Sequence, residues 1–97
     1  MILIRKKGKL PPPTISEKYS LEYGEDYLEI SSELNLQNKK VVVVDDILAT
    51  GGTSAACIKL LEELSAEVLS LLFLIILKDV PKEKIVSSYQ IDYLLEL

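Results

Sequence analysis

Two adjacent acids and a short loop of small and hydroxyl residues are the groups of this sequence best suited to chemistry. The stretch VVVVDDILATGGT, residues 41–53, places Asp45 and Asp46 directly after four valines. Gly51 and Gly52 let the backbone turn tightly and approach a ligand closely, and the threonines on either side offer hydroxyls. Loop amides, hydroxyls and the N-terminus of a following helix together form a site for a phosphate-like anion.

The two acids require a second part of the ligand, because carboxylates beside a phosphate would repel it. Asp45 and Asp46 are suited to accept hydrogen bonds from the vicinal hydroxyls of a sugar, or to hold a hydrated magnesium ion. Together with the loop they point to a sugar phosphate. The stretch is not a P-loop, since the lysine of G-x-x-x-x-G-K-[ST] is absent. The structural alternative is that the acids solubilise a strand end and TGGT is only a turn with a helix cap.

The elements around this stretch predict an α/β domain. Residues 41–44 are β-branched without alternation, which favours a central parallel strand covered on both faces. Apolar residues at helical spacing predict an amphipathic helix over 54–64, and the apolar run 68–77 predicts a second buried strand. This βαβ unit, expected to be right-handed, puts the loop at the carboxyl end of a strand, where α/β folds bind ligands. Residues 78–84 are predicted to be a surface loop or short helix, and residues 89–97 another strand.

The first third of the chain predicts a strand, a loop and a hairpin. Residues 1–4 are apolar and favour a strand, whereas the basic, glycine- and proline-bearing residues 5–14 favour a mobile loop. Tyrosine and leucine alternate with polar residues between Tyr19 and Tyr23, and a second apolar stretch follows Gly24–Asp26. This pattern predicts a β-hairpin with its turn at residues 24–26.

Composition narrows the classes of protein. With 97 residues, of which 48% are hydrophobic, the chain is one small domain or part of a larger one, and its surplus apolar sequence suggests packing against missing chain or a partner subunit. A net charge of −4 argues against general nucleic-acid binding, and the absence of histidine excludes histidine catalysis and ligation. The single cysteine, Cys57, excludes an internal disulfide and is expected to be a small core residue. No signal peptide is evident, and the ten-residue apolar run is too short for a membrane helix, which needs about 20. We therefore expect a cytoplasmic protein with no membrane partner.

Residues 41–53 resemble the motif by which type I phosphoribosyltransferases bind phosphoribosyl pyrophosphate (PRPP). The likeness continues upstream through ILIRKKGKLPPPT and YSLEYG and downstream through AEVL, and these flanks are similar to the adenine-specific branch of that family. The resemblance implies a partial type I phosphoribosyltransferase (Rossmann-like) fold, with parallel central strands and a β-hairpin bearing a flexible loop. It identifies residues 1–97 with the C-terminal part of the domain, the N-terminal half of the family fold being absent. The implied reaction is purine salvage, in which adenine and PRPP form AMP and pyrophosphate with Mg²⁺.

The resemblance also implies roles for individual residues on the sugar-phosphate side. Asp45 and Asp46 would contact the ribose hydroxyls and would hold Mg²⁺, directly or through water. The 5-phosphate would be cradled by five consecutive residues, Ala49, Thr50, Gly51, Gly52 and Thr53.

On the pyrophosphate side the implied residues lie in the first quarter of the chain. Arg5, Lys6 and Lys9 match basic positions that meet the pyrophosphate, and residues 10–20 would be the mobile loop that closes over the reaction. Glu22 would be the catalytic residue, for proton transfer or charge stabilisation, and Tyr23 would lie close to PRPP. Without this context, a basic stretch is ordinarily a solvated loop and a lone glutamate a solvent-facing hairpin residue.

Alternatives of other classes stay open at this point. The chain could be a non-catalytic fragment that binds PRPP or a nucleotide, or a partner subunit of a longer phosphoribosyltransferase. A regulator of the purine-repressor kind is a third possibility, without a visible DNA-binding segment to support it. We expect a homodimer or association with a longer homologous chain. Base selection is not visible, since Ile76 stands where the adenine branch usually has an acid.

Overall fold

A computed structural model of the chain describes residues 4–6, 8–21 and 24–97. Within them, one long helix packs between a three-stranded antiparallel sheet and a three-stranded parallel sheet. In chain order the elements are β1 (Arg5–Lys6), β2 (Thr14–Leu21), β3 (Gly24–Ser31), β4 (Lys40–Leu48), α1 (Gly52–Glu63), β5 (Glu67–Ile76), α2 (Lys84–Ser87) and β6 (Gln90–Glu96).

The antiparallel sheet has the order β1-β3-β2 and contains the predicted hairpin. β2 and β3 pair along their full length, from Thr14 opposite Ser31 to Leu21 opposite Gly24. Residues 24–26, predicted to form the turn, therefore lie inside β3. Residues 14–20, predicted to belong to a mobile loop, lie in β2, because their backbone groups are taken up by the ladder with β3.

The strand predicted for residues 1–4 falls mostly outside the described residues, and the first described strand is β1. Of those four residues only Ile4 is among the described ones, and it lies outside a strand. Arg5 and Lys6, predicted to begin a loop, instead pair with Glu29 and Leu28 on the outer edge of β3. A two-stranded hairpin is only marginally stable alone, so this third strand stabilises the sheet.

The parallel sheet has the order β4-β5-β6 and confirms the predicted βαβ arrangement. β4 extends to Leu48, so Asp45 and Asp46 lie within the strand and not after its end. Helix α1 begins at Gly52, two residues before the predicted start, and ends at Glu63. The predicted last strand is β6, and α2 is a single short turn after the predicted surface segment.

The core lies between α1 and the two sheets. Fully buried side chains come from each layer: Ile30 in β3, Ile58 and Leu60 in α1, Leu71 and Phe73 in β5. Burying each such side chain contributes about 1.5–3 kcal/mol, which holds the strand ends around the helix in place. Among the described residues, no helix is both long enough and apolar enough to cross a lipid bilayer.

The face of the parallel sheet directed away from α1 is apolar and uncovered within the described chain. Val44 is 69% exposed and Leu94 is 78% exposed. The expectation that residues 41–44 are covered on both faces is therefore wrong for this chain, since only Val43 of the four is buried. We call this the open face; it is formed by Val42, Val44, Leu72, Leu74 and Leu94.

Candidate functional site

Residues 49–53 connect β4 to the first turn of α1, and we call them the glycine loop. Contacts with α2 and the residue before it hold this loop in one conformation. Gly51 has φ 85°, a left-handed conformation that side chains disfavour. A Cβ added there would lie 2.9 Å from Cγ2 of Val86, a fully buried residue of α2. The backbone N–H of Glu83 donates to the carbonyl of Thr50 at 2.7 Å. The glycine loop therefore rests on α2, and only glycine fits at position 51.

The glycine loop directs the positive end of a twelve-residue helix towards solvent. The carbonyl of Gly51 accepts the first helical hydrogen bond, from Ala55 N–H at 2.8 Å, and no side chain caps the helix. The first N–H groups of a helix have no partner inside it, and no acidic residue lies in this first turn to neutralise them. Such an end binds an anion by charge and by direct donation.

A cavity of about 100 Å³ lies at this helix end, with room for ~3 water molecules. The structure gathers around it the residues that the sequence assigned to the sugar phosphate: Asp45, Ala49, Thr50, Gly51, Gly52 and Thr53. Asp46, the other predicted acid, is not among the residues that line this cavity. The structure thus brings five predicted phosphate residues together with one of the two predicted acids.

Each of the two acids is oriented by a backbone amide. Oδ1 of Asp45 accepts a hydrogen bond from Asp46 N–H at 2.8 Å, and Oδ1 of Asp46 accepts one from Ile47 N–H at 2.8 Å. Partial burial raises the pKa of Asp45, and the neighbouring Asp46 carboxyl raises it further, against the opposing effect of the backbone amide. A cation or hydroxyl donor at this position would relieve the repulsion between the two carboxylates.

The two carboxylates offer oxygen ligands of the kind that the predicted magnesium ion would need. Mg²⁺ takes hard oxygen ligands and keeps several waters, so that one or two carboxylates plus substrate oxygens complete its coordination. Within residues 4–6, 8–21 and 24–97, no three histidine, cysteine or acidic side chains come together as a metal site. A site built on Asp45 and Asp46 would therefore depend on water and substrate for its remaining ligands.

The predicted pyrophosphate residues are placed less completely. Arg5 and Lys6 form β1, and the exposed Lys9 lies in the segment between β1 and β2, residues 8–13, which we call the lysine loop. Glu22 and Tyr23 lie outside the described residues. The hairpin does reach the glycine loop, since a Cβ on Gly52 would lie 3.6 Å from the carbonyl oxygen of Ser20.

A larger apolar groove of about 600 Å³ runs beside the site and shares Asp45 and Thr53 with the smaller cavity. Four consecutive residues of β4, Val41–Val44, line it. Alternate side chains of a strand point to opposite faces, so a groove lined by all four must follow the edge of the strand. The groove continues to Asp45 and Cys57, whose thiol pKa is raised to about 12, first by burial and then by Asp45.

Sequence reasoning missed two groups that shape the site. Val86 of α2 and Glu83, the residue before α2, support the glycine loop from more than 30 residues away in the sequence, and only the fold brings them together. Glu29 contacts both ends of the lysine loop and lies within an ordinary alternating strand pattern. No local signal in the sequence distinguishes these residues.

Comparisons with known proteins agree with this geometry. The phosphoribosyl transferase domain family matches residues 1–95. Adenine phosphoribosyltransferase of Ruegeria pomeroyi is 51% identical over 89 residues, which cover 92% of this chain and 50% of the relative. The Clostridium botulinum enzyme of the same name is 48% identical over 93 residues, covering 96% of this chain and 54% of the relative. The crystal structure of adenine phosphoribosyltransferase from Thermoanaerobacter pseudethanolicus superposes with a TM-score of 0.92 at 45% identity, covering 99% of this chain and 56% of that one.

The chain spans about half the length of the relatives that it matches. Its α/β architecture, with parallel strands beside an antiparallel hairpin, is that of the adenine phosphoribosyltransferase structures. The match of the family over residues 1–95 and identities near one half establish the relationship. The chain therefore belongs to the phosphoribosyl transferase domain family.

Proposed function

We propose that this chain takes part in adenine phosphoribosyl transfer, forming AMP and pyrophosphate from adenine and PRPP with Mg²⁺. The observation that supports this most is the cavity at the start of α1, where Asp45 meets the five residues of the glycine loop. Acid and anion-binding groups at one strand end suit a ribose 5-phosphate better than a free phosphate, which the carboxylate would repel. Relatives that are 51% and 48% identical to the chain carry the name adenine phosphoribosyltransferase.

The reaction forms a bond from an adenine ring nitrogen to C1 of the ribose, breaks the bond from C1 to pyrophosphate, which leaves with the electron pair, and releases the proton of the ring nitrogen. As in glycoside cleavage, positive charge develops on the sugar ring. In this proposal the glycine loop and the amides of α1 hold the 5-phosphate, and Asp45 and Asp46 orient the ribose through its hydroxyls. Asp45 and Asp46 would hold Mg²⁺, which would neutralise charge on the leaving diphosphate.

The remaining proposed roles fall on the first strands. Arg5, Lys6 and Lys9 carry positive charge to the pyrophosphate, and the lysine loop excludes water that would hydrolyse PRPP. Glu22 stabilises charge or transfers a proton, and Tyr23 lies near PRPP. These assignments follow the family resemblance, supported here by the position of the hairpin end beside Gly52. A purely non-catalytic binding chain is not favoured, because the named relatives are enzymes.

We further propose that the protein acts in the cytoplasm as part of an assembly, either a homodimer or a complex with a longer homologous chain. The open face and the groove along β4 offer apolar surface and a strand edge for such contacts. Sedimentation equilibrium of the purified chain, alone and with a full-length relative, distinguishes the two. A monomer under both conditions would refute assembly.

The site assignment is tested with the double variant Asp45→Asn, Asp46→Asn. We expect this variant to lose ribose 5-phosphate and PRPP binding in calorimetry with Mg²⁺ present, and to keep its circular dichroism spectrum. Asp92→Asn, an exposed acid of the same sheet, is the control and should bind as the unaltered chain does. Binding that survives the double change would show that the site is wrongly assigned.

The activity is tested by assaying AMP formation from adenine and PRPP with Mg²⁺. Activity of the chain alone, or after addition of the unmatched half of a relative, would support catalysis. PRPP binding without AMP formation in either case would leave only the binding function.

A further inference from the structure

Glu29 is the only buried charged residue in the part of the chain that the structure describes. It lies in the middle of β3 and is 8% exposed. Its strand neighbours Leu28 and Ile30 point into the core, so the alternation of the strand turns Glu29 to the outer face of the antiparallel sheet. A carboxylate is buried at such a position only if hydrogen bonds compensate its loss of water.

Both oxygens of Glu29 accept hydrogen bonds at the base of the lysine loop, one from its first residue and one from the residue that follows its last. Oε1 accepts a hydrogen bond from Gly8 N–H at 2.7 Å, and Oε2 accepts one from the hydroxyl of Thr14 at 2.9 Å. Gly8 and Thr14 immediately flank residues 9–13. One carboxylate therefore closes the base of the loop, although it lies 21 and 15 residues away from its two partners.

The composition of the loop explains why it depends on this clamp. Residues 11–13 are three prolines and have no backbone N–H, so they cannot donate to any other part of the fold. Gly8, with φ 87°, reaches the carboxylate through a left-handed backbone that a larger side chain would disfavour. Near the other end the carbonyl of Pro13 accepts a hydrogen bond from Ser32 N–H at 3.2 Å. The anchoring thus falls on the two ends, and Lys9 follows directly after one of them.

We propose that Glu29 is a positioning residue that fixes the base of the lysine loop and thereby places Lys9 for the pyrophosphate end of PRPP. This inference rests on the proposed function. Glu29 acts through Gly8 and Thr14 and does not touch the substrate. Its loss should weaken ligands that carry a diphosphate and leave ribose 5-phosphate, which is held by the glycine loop, unaffected.

Four variants separate this role from a general loss of structure. Glu29→Ala removes both bonds, whereas Glu29→Gln keeps an acceptor for Gly8 and offers an N–H to the Thr14 oxygen. Thr14→Val removes one bond with little change in shape. Glu25→Ala is the matched control. Glu25 lies on the same strand and face as Glu29 but is exposed, and it forms an ion pair with Lys18 at 3.2 Å.

The first measurement is amide hydrogen exchange of residues 8–10. We expect exchange in Glu29→Ala to be about tenfold faster, because a charge-assisted hydrogen bond to Gly8 is lost. Glu29→Gln and Glu25→Ala should exchange as the unaltered chain does, and Thr14→Val should fall between. Unchanged exchange in Glu29→Ala would overturn the clamp. If Glu29→Ala does not fold, Thr14→Val against Thr14→Ser provides the same comparison.

The second measurement is calorimetric affinity for PRPP and for ribose 5-phosphate, with Mg²⁺. We expect Glu29→Ala to weaken PRPP by about tenfold and ribose 5-phosphate by less than about twofold. Equal weakening of both ligands would contradict a positioning role. If the unaltered chain binds neither ligand, the proposed function fails, and the exchange rates alone then decide whether Glu29 anchors the loop.

Discussion

We propose that the glycine loop and the lysine loop bind opposite ends of PRPP, and the structure builds the two loops in opposite ways. The glycine loop is five consecutive residues between a strand and a helix, and its binding groups are backbone amides that the helix itself directs. The lysine loop carries a side-chain cation and is closed by Glu29 from a different strand. Backbone amides are positioned by the local geometry of the chain. A long side chain such as that of Lys9 is positioned only if its loop is held by a residue from elsewhere in the fold, here Glu29.

The largest expected effect comes from a substitution in the glycine loop. Gly51→Val would place a branched side chain at φ 85° and against Val86, so we expect a loss of about 2–4 kcal/mol in unfolding free energy and of ribose 5-phosphate binding. Urea denaturation and calorimetry measure the two effects. Gly52→Ala is the control for stability, because its added Cβ meets ordinary contacts at 3.6 and 3.7 Å. Equal losses at both glycines would show that the packing against Val86 does not set the loop.

A smaller effect is expected from combining substitutions at Val86 and Gly51, which tests whether these two residues contact each other. Val86→Ala alone should cost about 1–3 kcal/mol, since it removes fully buried methyl groups. In the double variant Gly51→Ala, Val86→Ala, the added Cβ at position 51 no longer meets Cγ2 of Val86 at 2.9 Å. The double variant should therefore lose less unfolding free energy than the two single variants lose in sum. A coupling of at least about 0.5 kcal/mol in the double-mutant cycle is expected. Strict additivity would mean that Gly51 is required for its backbone angle alone.

The smallest expected effect concerns Cys57 in α1, close to the glycine loop. Burial raises the pKa of this thiol to about 12, so at pH 8 only about one thiol in ten thousand is ionised in the folded chain. Alkylation by iodoacetamide at pH 8 should be barely detectable over the time in which unfolded chain in urea reacts fully. The rate should rise with pH through the range above 9. Rapid alkylation of the folded chain at pH 8 would show that the structure opens readily around Cys57.

The difference between features set by local sequence and features set by distant contacts also determines how much could be predicted from the sequence. Residues 41–53, the helix after them and the strands β5 and β6 follow from local patterns, and their arrangement was predicted correctly apart from their ends. β1 and the first half of β2 were predicted as loop, because their strand character comes from pairing with β3. Glu29 could not be recognised, since its partners Gly8 and Thr14 are brought to it only by the fold.

The error about Val41–Val44 has a related cause. An unbroken β-branched run indicates that both faces of a strand favour burial, but it does not say whether the chain itself supplies the cover. In this structure α1 covers one face, and Val42 and Val44 remain 49% and 69% exposed. The assignments of Glu22 and Tyr23 stay predictions, because these residues lie outside the described part of the chain.

The open face also affects how abundant the protein is expected to be in a cell. An apolar sheet surface with a free strand edge is the feature that chaperones and proteases recognise on newly made chains, and it favours pairing between copies as concentration rises. The abundance of this chain should therefore depend less on its folding equilibrium than on how soon after synthesis the face of Val44 and Leu94 is covered.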